Sequence, residues 1–329
     1  MLRLSASEYV MRLLTNALHK FRRCLRIGTL RPLWRLAAFR WRAWRCKKSG
    51  DWGQMASMSW SAICSGTAVP GIIERYDNRQ EPLVSVIIPC FNYGAYVMEA
   101  VDSVLAQTWQ NVEICVVDGG STDTATLAVL NALDRPKTRV LHQPAPTLVG
   151  GNRNFGIAST QGQYICCLDA DDRLKPSYLE KTVQLLESGR ADVVSAGHHE
   201  LGRPERIHLH MPFPLLEDLV LGNHALTCAV FPRALFERTG GFVDTGKGAD
   251  HVAEDWRLWV HMAALGARFC NIPEPLLEYR IHGNSSLSRQ PGVPPPWQQA
   301  DAICEALEKI LTPESFAASR QNASKQVFA

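Results

Sequence analysis

The sequence predicts an α/β fold in which a mostly parallel central sheet lies between layers of helices. Between residues 83 and 288, short apolar segments of strand length alternate with segments whose apolar residues recur at helical spacing. Several of the short segments are almost entirely apolar, which is typical of parallel strands buried on both faces. The composition, 46% hydrophobic and 20% charged, suits a globular protein with a sizeable core.

The first elements establish this alternation. Residues 83–89 (LVSVIIP) predict a buried strand, and residues 95–107 predict a helix because their valines recur at helical spacing. Residues 112–117 (VEICVV) predict the next strand, which the polar sequence DGGSTD follows. Thr122 is a candidate N-cap for the helix after it.

The same alternation continues along the chain. Short runs rich in apolar residues predict further strands, and the segments between them have helical periodicity. The further strands are expected at 138–143, 163–168 and 192–196, and the helices at 123–133, 151–159 and 177–188.

Three of the predicted strands are followed by polar or conformationally special residues. Ligands of open parallel sheets bind at the carboxyl ends of the strands, so we expect these residues to share one cleft. The three strand ends are Pro89-Cys90-Phe91-Asn92, Asp118-Gly119-Gly120, and the acidic group Asp169, Asp171 and Asp172.

The acidic group places three carboxylates within four residues, and these repel one another. A divalent cation would neutralise them, because Mg²⁺ or Mn²⁺ binds through one or two carboxylates together with phosphates of a ligand. Arg173 and Lys175 are alternative partners. A solvated acidic turn, with Asp172 capping the next helix, is the remaining alternative.

These strand ends, in this order, resemble those of the family 2 glycosyltransferases. The resemblance rests on VSVIIPCFNYGAY, VVDGGSTD and GGNRNFGIASTQGQYICCLDADD, between about Val84 and Ser188, and continues more weakly to about Ser288 through RTGGFVD, EDWRLW and YRIHGNSS. It implies a GT-A fold with a Rossmann-like sheet. It also implies inverting transfer of a sugar from a nucleoside diphosphate sugar to the hydroxyl of a carbohydrate or lipid-linked acceptor. Mg²⁺ or Mn²⁺ is the implied cofactor, and cell-surface polysaccharide or glycolipid synthesis the implied setting.

The resemblance assigns the donor site to the strand ends and a basic motif. Asp169 and Asp171 match the family's DxD pair, which contacts the metal and the diphosphate. Asp118 matches an acid that contacts the base or ribose, but Gly119 stands where many members have a second aspartate, so UDP, the expected nucleotide, has less support. The other implied donor-site residues are Pro89, Phe91, Asn92, Arg153 and Asn154. Alternatively, Asn154 caps a helix and Arg153 is a solvated side chain.

The resemblance also assigns an acceptor side. Glu254 and Asp255 match the family's catalytic ED motif, with Asp255 as the general base; simple stabilisation of a helix N-terminus by acids is the alternative. Gly240 and Gly241 match a loop at which the acceptor approaches the backbone closely. His282 resembles a histidine that binds the metal or the diphosphate, although a structural or exposed histidine is equally consistent with its position.

The N-terminal residues differ in charge from the rest of the chain. Residues 1–48 contain thirteen Lys and Arg against one acid, Glu8, whereas the remainder is acidic. Because this segment is also rich in aromatic residues, we expect a basic, helical extension that contacts an anionic membrane surface. Binding to nucleic acid is a weaker alternative. A disordered segment or mis-assigned start is another, since Met55 and Met58 precede the recognisable domain.

The chain is therefore predicted to have four parts. No segment has the length of a membrane-spanning helix or the apolar core of a signal peptide, so we expect a cytoplasmic protein peripherally associated with the inner face of the membrane. The predicted parts are the extension (1–48), a linker (49–82), the glycosyltransferase domain (83–288, with 83–196 for the nucleotide sugar and 197–288 for the acceptor), and a C-terminal helix and tail (289–329).

Two other classes of function were weighed against this prediction. A catalytically inactive nucleotide-sugar-binding protein on the same fold would be expected to have a broken DxD or ED motif, and both are intact. A nucleotidyltransferase would be expected to carry a glycine-rich, basic loop after the first strand. The sequence PCFNYGAY has neither property, so glycosyl transfer is the favoured function.

Overall fold

A computed structural model describes residues 18–23, 32–33, 37, 81–282 and 292–328, without the side chains of 204–205 and 323–328. The strands are β1 (Val84–Cys90), β2 (Val112–Asp118), β3 (Thr138–His142), β4 (Tyr164–Cys167), β5 (Arg173–Leu174), β6 (Val193–Glu200), β7 (Arg203–His208), β8 (Val230–Pro232) and β9 (Phe269–Tyr279). The helices labelled here are α1 (Gly94–Leu105), α2 (Thr124–Asn131), α3 (Val149–Ala158), α4 (Tyr178–Glu187), α5 (Leu216–Leu219), α6 (Arg233–Thr239), α7 (Glu254–Ala264), α8 (Pro296–Ala306) and α9 (Pro313–Phe328).

Within the described residues, the nine strands form one sheet in the order β3-β2-β1-β4-β8-β6-β9-β5, with β7 beside β6. The strands β3, β2, β1 and β4 are parallel to their neighbours. Strand β8 is antiparallel to β4 and β6, whereas β6 and β9 are parallel. The predicted α/β fold is confirmed, and the antiparallel pairs are confined to the part of the sheet beyond β4.

The register of the parallel strands brings their carboxyl ends to one edge of the sheet. Cys90 at the end of β1 lies opposite Asp118 at the end of β2, which lies opposite His142 at the end of β3. On the other side of β1, Cys167 at the end of β4 lies opposite Ile87. The residues that follow β1, β2 and β4 therefore emerge at the same edge, as the sequence predicts.

Helices cover both faces of the sheet because its central strand is apolar on both faces. Successive side chains of a strand point to opposite faces. Val86 and Ile88 accordingly pack in the cluster that includes α1 and α4. Ile87, between them, packs in the second cluster, which includes α3, α6 and α7. All seven residues of β1 are buried.

Helix α7, whose first residues are Glu254 and Asp255, is anchored by aromatic packing. Trp259 is fully buried. Its ring lies edge-on to Phe231 of β8, with 5.6 Å between centroids, and to Phe269 of β9, at 6.3 Å. Burying a large apolar side chain stabilises the fold by about 1.5–3 kcal/mol. The start of α7 is thus held in a defined place relative to the sheet.

Two local predictions are wrong. Asp123, not Thr122, caps helix α2: its carboxylate accepts hydrogen bonds from the following backbone, including the N–H of Thr126 at 3.0 Å. Aspartate ranks above threonine as an N-cap, which accounts for the shift. The C-terminal part forms two helices, α8 and α9, where one short helix and a tail were expected. Pro313 begins α9, at a position where proline is favoured.

Residues 18–23 are helical and lie against α8. Arg23 is 4% exposed, and its guanidinium donates to the carbonyls of Val220 at 3.0 Å and Trp297 at 2.9 Å. It also pairs with the carboxylate of Asp301 at 2.6 Å. At least this basic residue of the predicted extension is therefore part of the folded domain.

Most of the extension over 1–48 lies outside the described residues, as does the predicted linker over 49–82 except for residues 81 and 82. Among the helices in the described part of the chain, none combines the length and apolar character needed to cross a bilayer. The boundaries of the four predicted parts remain predictions.

Candidate active site

Asn92, just beyond β1, organises the loop that follows β2. Its φ of 60° lies in the left-handed region, which asparagine adopts more readily than most residues. Its side-chain Oδ1 accepts hydrogen bonds from the backbone N–H of Thr122 at 2.8 Å and of Asp123 at 3.0 Å. Its own backbone N–H donates to Ser121 Oγ at 3.0 Å. Asn92 thereby joins two of the strand ends that were predicted to form the nucleoside pocket.

Two further residues of the first strand end differ in their exposure. Phe91 is 46% exposed, unusual for a phenylalanine at the edge of a core, and offers a ring face on which a planar base could stack. Pro89 is buried within β1, opposite Val117. Phe91 is thus accessible at this edge, whereas Pro89 shapes the strand beneath it.

Asp118 is a buried, charged residue at the end of β2. Its Oδ1 accepts from the backbone N–H of Ser121 at 2.8 Å, and its Oδ2 lies 3.0 Å from His142 Nδ1. Burial alone would raise the pKa of Asp118, but the hydrogen bonds from Ser121 and His142 outweigh burial and lower the pKa below its ordinary value. The carboxylate is therefore ionised and fixed in orientation.

The position of Asn152 explains why glycine, and not a larger residue, follows Asp118. A Cβ at Gly119 would lie 2.2 Å from Nδ2 and 3.0 Å from Cγ of Asn152, which is buried in α3. The Asn152 amide is held there because its Oδ1 accepts a hydrogen bond from Thr147 at 2.7 Å. The neutral amide of Asn152 therefore takes the space that a second aspartate would need.

Asp171 and His282, two residues that the resemblance assigns to the metal or the diphosphate, meet at the edge of the sheet. His282 Nε2 lies 3.0 Å from Asp171 Oδ2, and the imidazole stacks on Tyr96 with 5.2 Å between centroids. Burial raises the pKa of Asp171, and the negative charge of Asp169 raises it further. A nearby positive charge would therefore stabilise the ionised form of Asp171.

Asp172 has a different role from its two neighbours. It is 4% exposed and accepts the backbone N–H of Arg280 at 2.8 Å. Burial raises its pKa well above the ordinary value, and Asp171 and Asp169 add to this effect. The alternative that Asp172 caps the next helix is wrong, because Ser177 occupies the N-cap position of α4. Asp172 instead fastens the end of β9 to the acidic loop.

Arg153 of α3 lies between the two acidic motifs. One terminal nitrogen donates to Asp169 Oδ1 at 2.7 Å, and the other donates to Glu254 Oε1. Arg153 is 2% exposed, so the alternative that it is a solvated side chain is wrong. Burial opposes its charge, but Asp169 and Glu254 outweigh burial and raise the pKa of Arg153 above its ordinary value. The structure thus joins the DxD and ED motifs through one cation.

Asn154 does not cap a helix; it lies within α3 and holds the predicted acceptor loop. Its Oδ1 accepts the backbone N–H of Phe242 at 2.9 Å, and its Nδ2 donates to the Phe242 carbonyl at 2.8 Å. Gly241, in this loop, has φ of 91°, and Gly240 has φ of 75°, conformations that favour glycine. A Cβ at Gly241 would also lie 2.8 Å from Asn154 Oδ1.

The same loop is tied to α3 a second time, by Asp244. Its two carboxylate oxygens accept from the backbone N–H groups of Gly150 at 3.0 Å and Gly151 at 2.7 Å, in the first turn of the helix. A carboxylate is favoured at this position because it satisfies free N–H groups and complements the helix dipole. The loop over 239–244 is therefore fastened to α3 at two points, Phe242 and Asp244.

Asp255, at the start of α7, is oriented by neutral donors. Its Oδ2 accepts a hydrogen bond from Thr227 Oγ1 at 2.8 Å and lies 3.4 Å from Asn223 Nδ2. Burial raises the pKa of Asp255 to about 6, and the charge of the adjacent Glu254 contributes to the rise. A carboxylate with this pKa is ionised at neutral pH and is a stronger proton acceptor than an ordinary aspartate.

The donor atoms at the DxD motif fit a hard divalent cation that also binds a ligand. Asp169 and Asp171 supply carboxylate oxygens, and His282 supplies a ring nitrogen beside Asp171. Among the described residues, no three His, Cys, Asp or Glu side chains converge as a complete metal site. Two carboxylates suffice for Mg²⁺ or Mn²⁺ when substrate phosphates provide the remaining ligands.

Arg280 is a residue of this region that the sequence analysis did not select. Its guanidinium donates to the carbonyl of Asp171 at 2.8 Å and to Glu99 of α1 at 2.6 Å, and it lies over the ring of Tyr96 at 4.6 Å. Its place two residues before His282 was a usable signal, because a histidine that binds a metal or a diphosphate needs its strand end to be fixed. Thr227 and Asn223 gave no comparable signal.

Comparisons with known proteins identify the family and the fold. A sequence profile described as "Glycosyl transferase family 2" matches residues 85–238. An uncharacterized glycosyltransferase of Haemophilus influenzae is 28% identical over 222 residues, which cover 63% of this chain and 68% of that protein. One from Nostoc sp. is 38% identical over 219 residues, covering 61% of this chain and 65% of its own.

A solved structure shows the same fold. Staphylococcus aureus TarS, residues 1–349 in complex with UDP-GlcNAc, aligns with a TM-score of 0.56 and 17% identity, covering 74% of this chain and 71% of that one. The profile match and the relatives show that residues 85–238 belong to glycosyl transferase family 2. The protein is a glycosyltransferase with a GT-A fold.

Proposed function

We propose that this enzyme is a metal-dependent inverting glycosyltransferase that moves a sugar from a nucleoside diphosphate sugar to an acceptor hydroxyl. The observation that carries the proposal is the junction of the DxD and ED motifs at one edge of the sheet, where Arg153 contacts both Asp169 and Glu254. One side of this junction has carboxylates suited to a diphosphate-bound cation. The other has a proton acceptor, Asp255, with a raised pKa.

The donor is proposed to bind along the strand ends. Phe91 would stack on the base, Asn92 and Asp118 would fix the nucleoside, and Asp171, Asp169 and His282 would hold Mg²⁺ or Mn²⁺. The cation, when bound, would act as a Lewis acid that offsets the charge developing on the leaving diphosphate. A UDP sugar is the first donor to test, because the solved TarS structures contain UDP-GlcNAc or UDP.

In the proposed reaction, Asp255 removes the proton from the acceptor hydroxyl as its oxygen attacks the anomeric carbon. The bond from that carbon to the diphosphate oxygen breaks on the opposite face, so the configuration inverts and the nucleoside diphosphate leaves with the electron pair. Thr227 and Asn223 donate to Oδ2 of Asp255, and the backbone N–H of Trp256 donates to Oδ1 at 2.6 Å. These bonds fix the carboxylate, and Oδ1 retains a second lone pair that can take the proton. A base with a pKa of about 6 is well matched to neutral pH.

The acceptor is proposed to approach along the loop over 239–244 at Gly240, which is exposed, whereas Gly241 is buried against Asn154. We accordingly assign residues 83–196 to the donor and 197–288 to a carbohydrate or lipid-linked acceptor, in cell-surface polysaccharide or glycolipid synthesis. The basic residues of 1–48 would place the enzyme on an anionic inner membrane surface. Arg23 is excluded from that contact, since Asp301 and two carbonyls already bind it.

The test is a thermal-shift panel of nucleoside diphosphates and their sugars, each with and without Mn²⁺ or Mg²⁺. A ligand at about 100 times its Kd stabilises the folded state by about 2.7 kcal/mol, which raises the Tm by several degrees. We expect such a shift for UDP or a UDP sugar only when the cation is present. The proposal fails if no nucleoside diphosphate raises the Tm under either condition.

A further inference from the structure

Arg153 connects the donor side of the cleft with the acceptor side. One terminal nitrogen donates to Asp169 Oδ1 at 2.7 Å and the other donates to Glu254 Oε1, while the residue as a whole is 2% exposed. An arginine that binds a diphosphate directly presents its planar fork to the ligand. Here each arm of the fork already engages a carboxylate of the protein.

We propose that Arg153 is a positioning residue that fixes Glu254 and thereby sets the protonation of the base, Asp255, instead of being a direct ligand of the donor. This inference rests on the proposed function, because it assigns Arg153 a part in the transfer reaction.

Because Arg153 is buried, its charge must be balanced by its two carboxylate partners, Asp169 and Glu254. Its Nε is buried and has no hydrogen-bond partner among the described residues. Its guanidinium carbon lies 5.4 Å from the centre of the Phe242 ring. A buried cation is tolerated only with close opposite charges, and removing one partner of such a group leaves the other uncompensated. Without Arg153, Glu254 would be a buried carboxylate with no ion-pair partner among the residues that the structure describes.

Within the part of the chain that the structure describes, the charges that act on Asp255 are those of Glu254 and Arg153, while Thr227, Asn223 and the backbone N–H of Trp256 contribute neutral hydrogen bonds. Burial raises the pKa of Asp255, the adjacent Glu254 raises it further, and Arg153 opposes both. Removal of the Arg153 charge should therefore raise the pKa of Asp255 further. Below that pKa the base holds a proton and cannot accept another. The acid limb of the pH profile, the range in which kcat/KM falls as the pH decreases, should therefore move to higher pH.

The test compares wild type, Arg153→Gln and the double variant Arg153→Gln/Glu254→Gln in the release of nucleoside diphosphate from the donor that the enzyme uses. We expect Arg153→Gln to lower kcat/KM at pH 7 by about 10–10³-fold and to move the acid limb up by about one pH unit or more. Adding Glu254→Gln removes the uncompensated charge and should move the limb back down. Arg135→Gln, at a partly exposed arginine far from the motifs, is the control for loss of a guanidinium.

An unchanged acid limb in Arg153→Gln, or a limb that Glu254→Gln does not move back, would overturn the inference. If Arg153→Gln does not fold, Arg153→Lys decides the matter. It keeps the charge but cannot bridge two carboxylates with a planar fork. We then expect an acid limb within about half a pH unit of wild type and a kcat about 10-fold lower. A Lys variant with wild-type kcat, or with a displaced limb, contradicts the inference. Failure of the proposed function looks different, because wild type would then release no nucleoside diphosphate from any donor.

Discussion

The donor and acceptor sides of the cleft are built in different ways. On the donor side, the pairing of β1 with β2 and β4 places the critical residues just beyond strand ends, so backbone hydrogen bonds set their positions. On the acceptor side, the loop over 239–244 is held to α3 by the side chains of Asn154 and Asp244. Displacing the donor-side strand ends therefore requires a disturbance of the sheet, whereas loss of one polar side chain removes one of the two attachments of the acceptor loop.

The largest effect is expected for Asp255→Asn, which tests whether proton removal on the acceptor side can be abolished separately from the donor side. Asp255→Asn keeps the shape and the hydrogen-bond acceptor of the side chain but cannot take the proton, so turnover should fall by about 10³-fold or more. In wild type, kcat/KM should fall as the pH drops through about 6, because Asp255 becomes protonated there. Nucleoside diphosphate release measured across pH 5–8 checks both results.

Asp250→Asn, at an exposed aspartate just before α7, is the control for loss of one carboxylate. Wild-type turnover in Asp255→Asn would show that another group accepts the proton.

A smaller effect is expected from release of the acceptor loop. Asn154→Ala removes both hydrogen bonds to the backbone of Phe242, each worth about 0.5–1.5 kcal/mol. We expect faster hydrogen exchange at residues 239–244, a kcat lowered about 10-fold and a nearly unchanged donor affinity. Asn131→Ala, at an exposed position at the end of α2, is the matched control. Unchanged exchange in the loop would remove Asn154 from this role.

The smallest effect concerns packing on the donor side. Gly119→Ala would place a Cβ 2.2 Å from Asn152 Nδ2, so Asn152 must move away from its bond to Thr147. We expect a loss of about 1–3 kcal/mol in the free energy of unfolding, measured by denaturant titration. At Gly222 an added Cβ has its nearest contact at 3.6 Å, so Gly222→Ala should be tolerated. Equal effects of the two substitutions would mean that Asn152 does not enforce the glycine.

This difference also explains how far the sequence could predict the site. The strand ends were predictable because Asp118 and Asp169 follow apolar runs directly, and parallel pairing then brings them together. The resemblance assigned Asp171 and His282 separately to the metal or the diphosphate, and the structure shows that they are in contact although 111 positions separate them. The strand-end prediction needed only the position of a residue relative to its own strand, whereas the assignment of His282 needed the family motif.

The remaining features depend on contacts between distant side chains. Arg153 was selected as a donor-site residue, but its burial between Asp169 and Glu254 has no local signature, since Glu254 is 101 positions away. The contact of Asn154 with Phe242, 88 positions away, is of the same kind. Composition and periodicity report the environment of a segment, and they do not report which distant polar partner it meets.

The central claim is that donor binding and proton removal reside on opposite sides of one cleft, and calorimetry of nucleoside diphosphate binding in Mn²⁺ tests it most directly. UDP, or whichever nucleoside diphosphate the thermal-shift panel selects, would be titrated into wild type, Asp171→Asn and Asp255→Asn. We predict that Asp171→Asn loses at least about 10-fold in affinity, whereas Asp255→Asn binds as wild type does. Wild-type affinity in Asp171→Asn, or an equal loss in both variants, would contradict the claim.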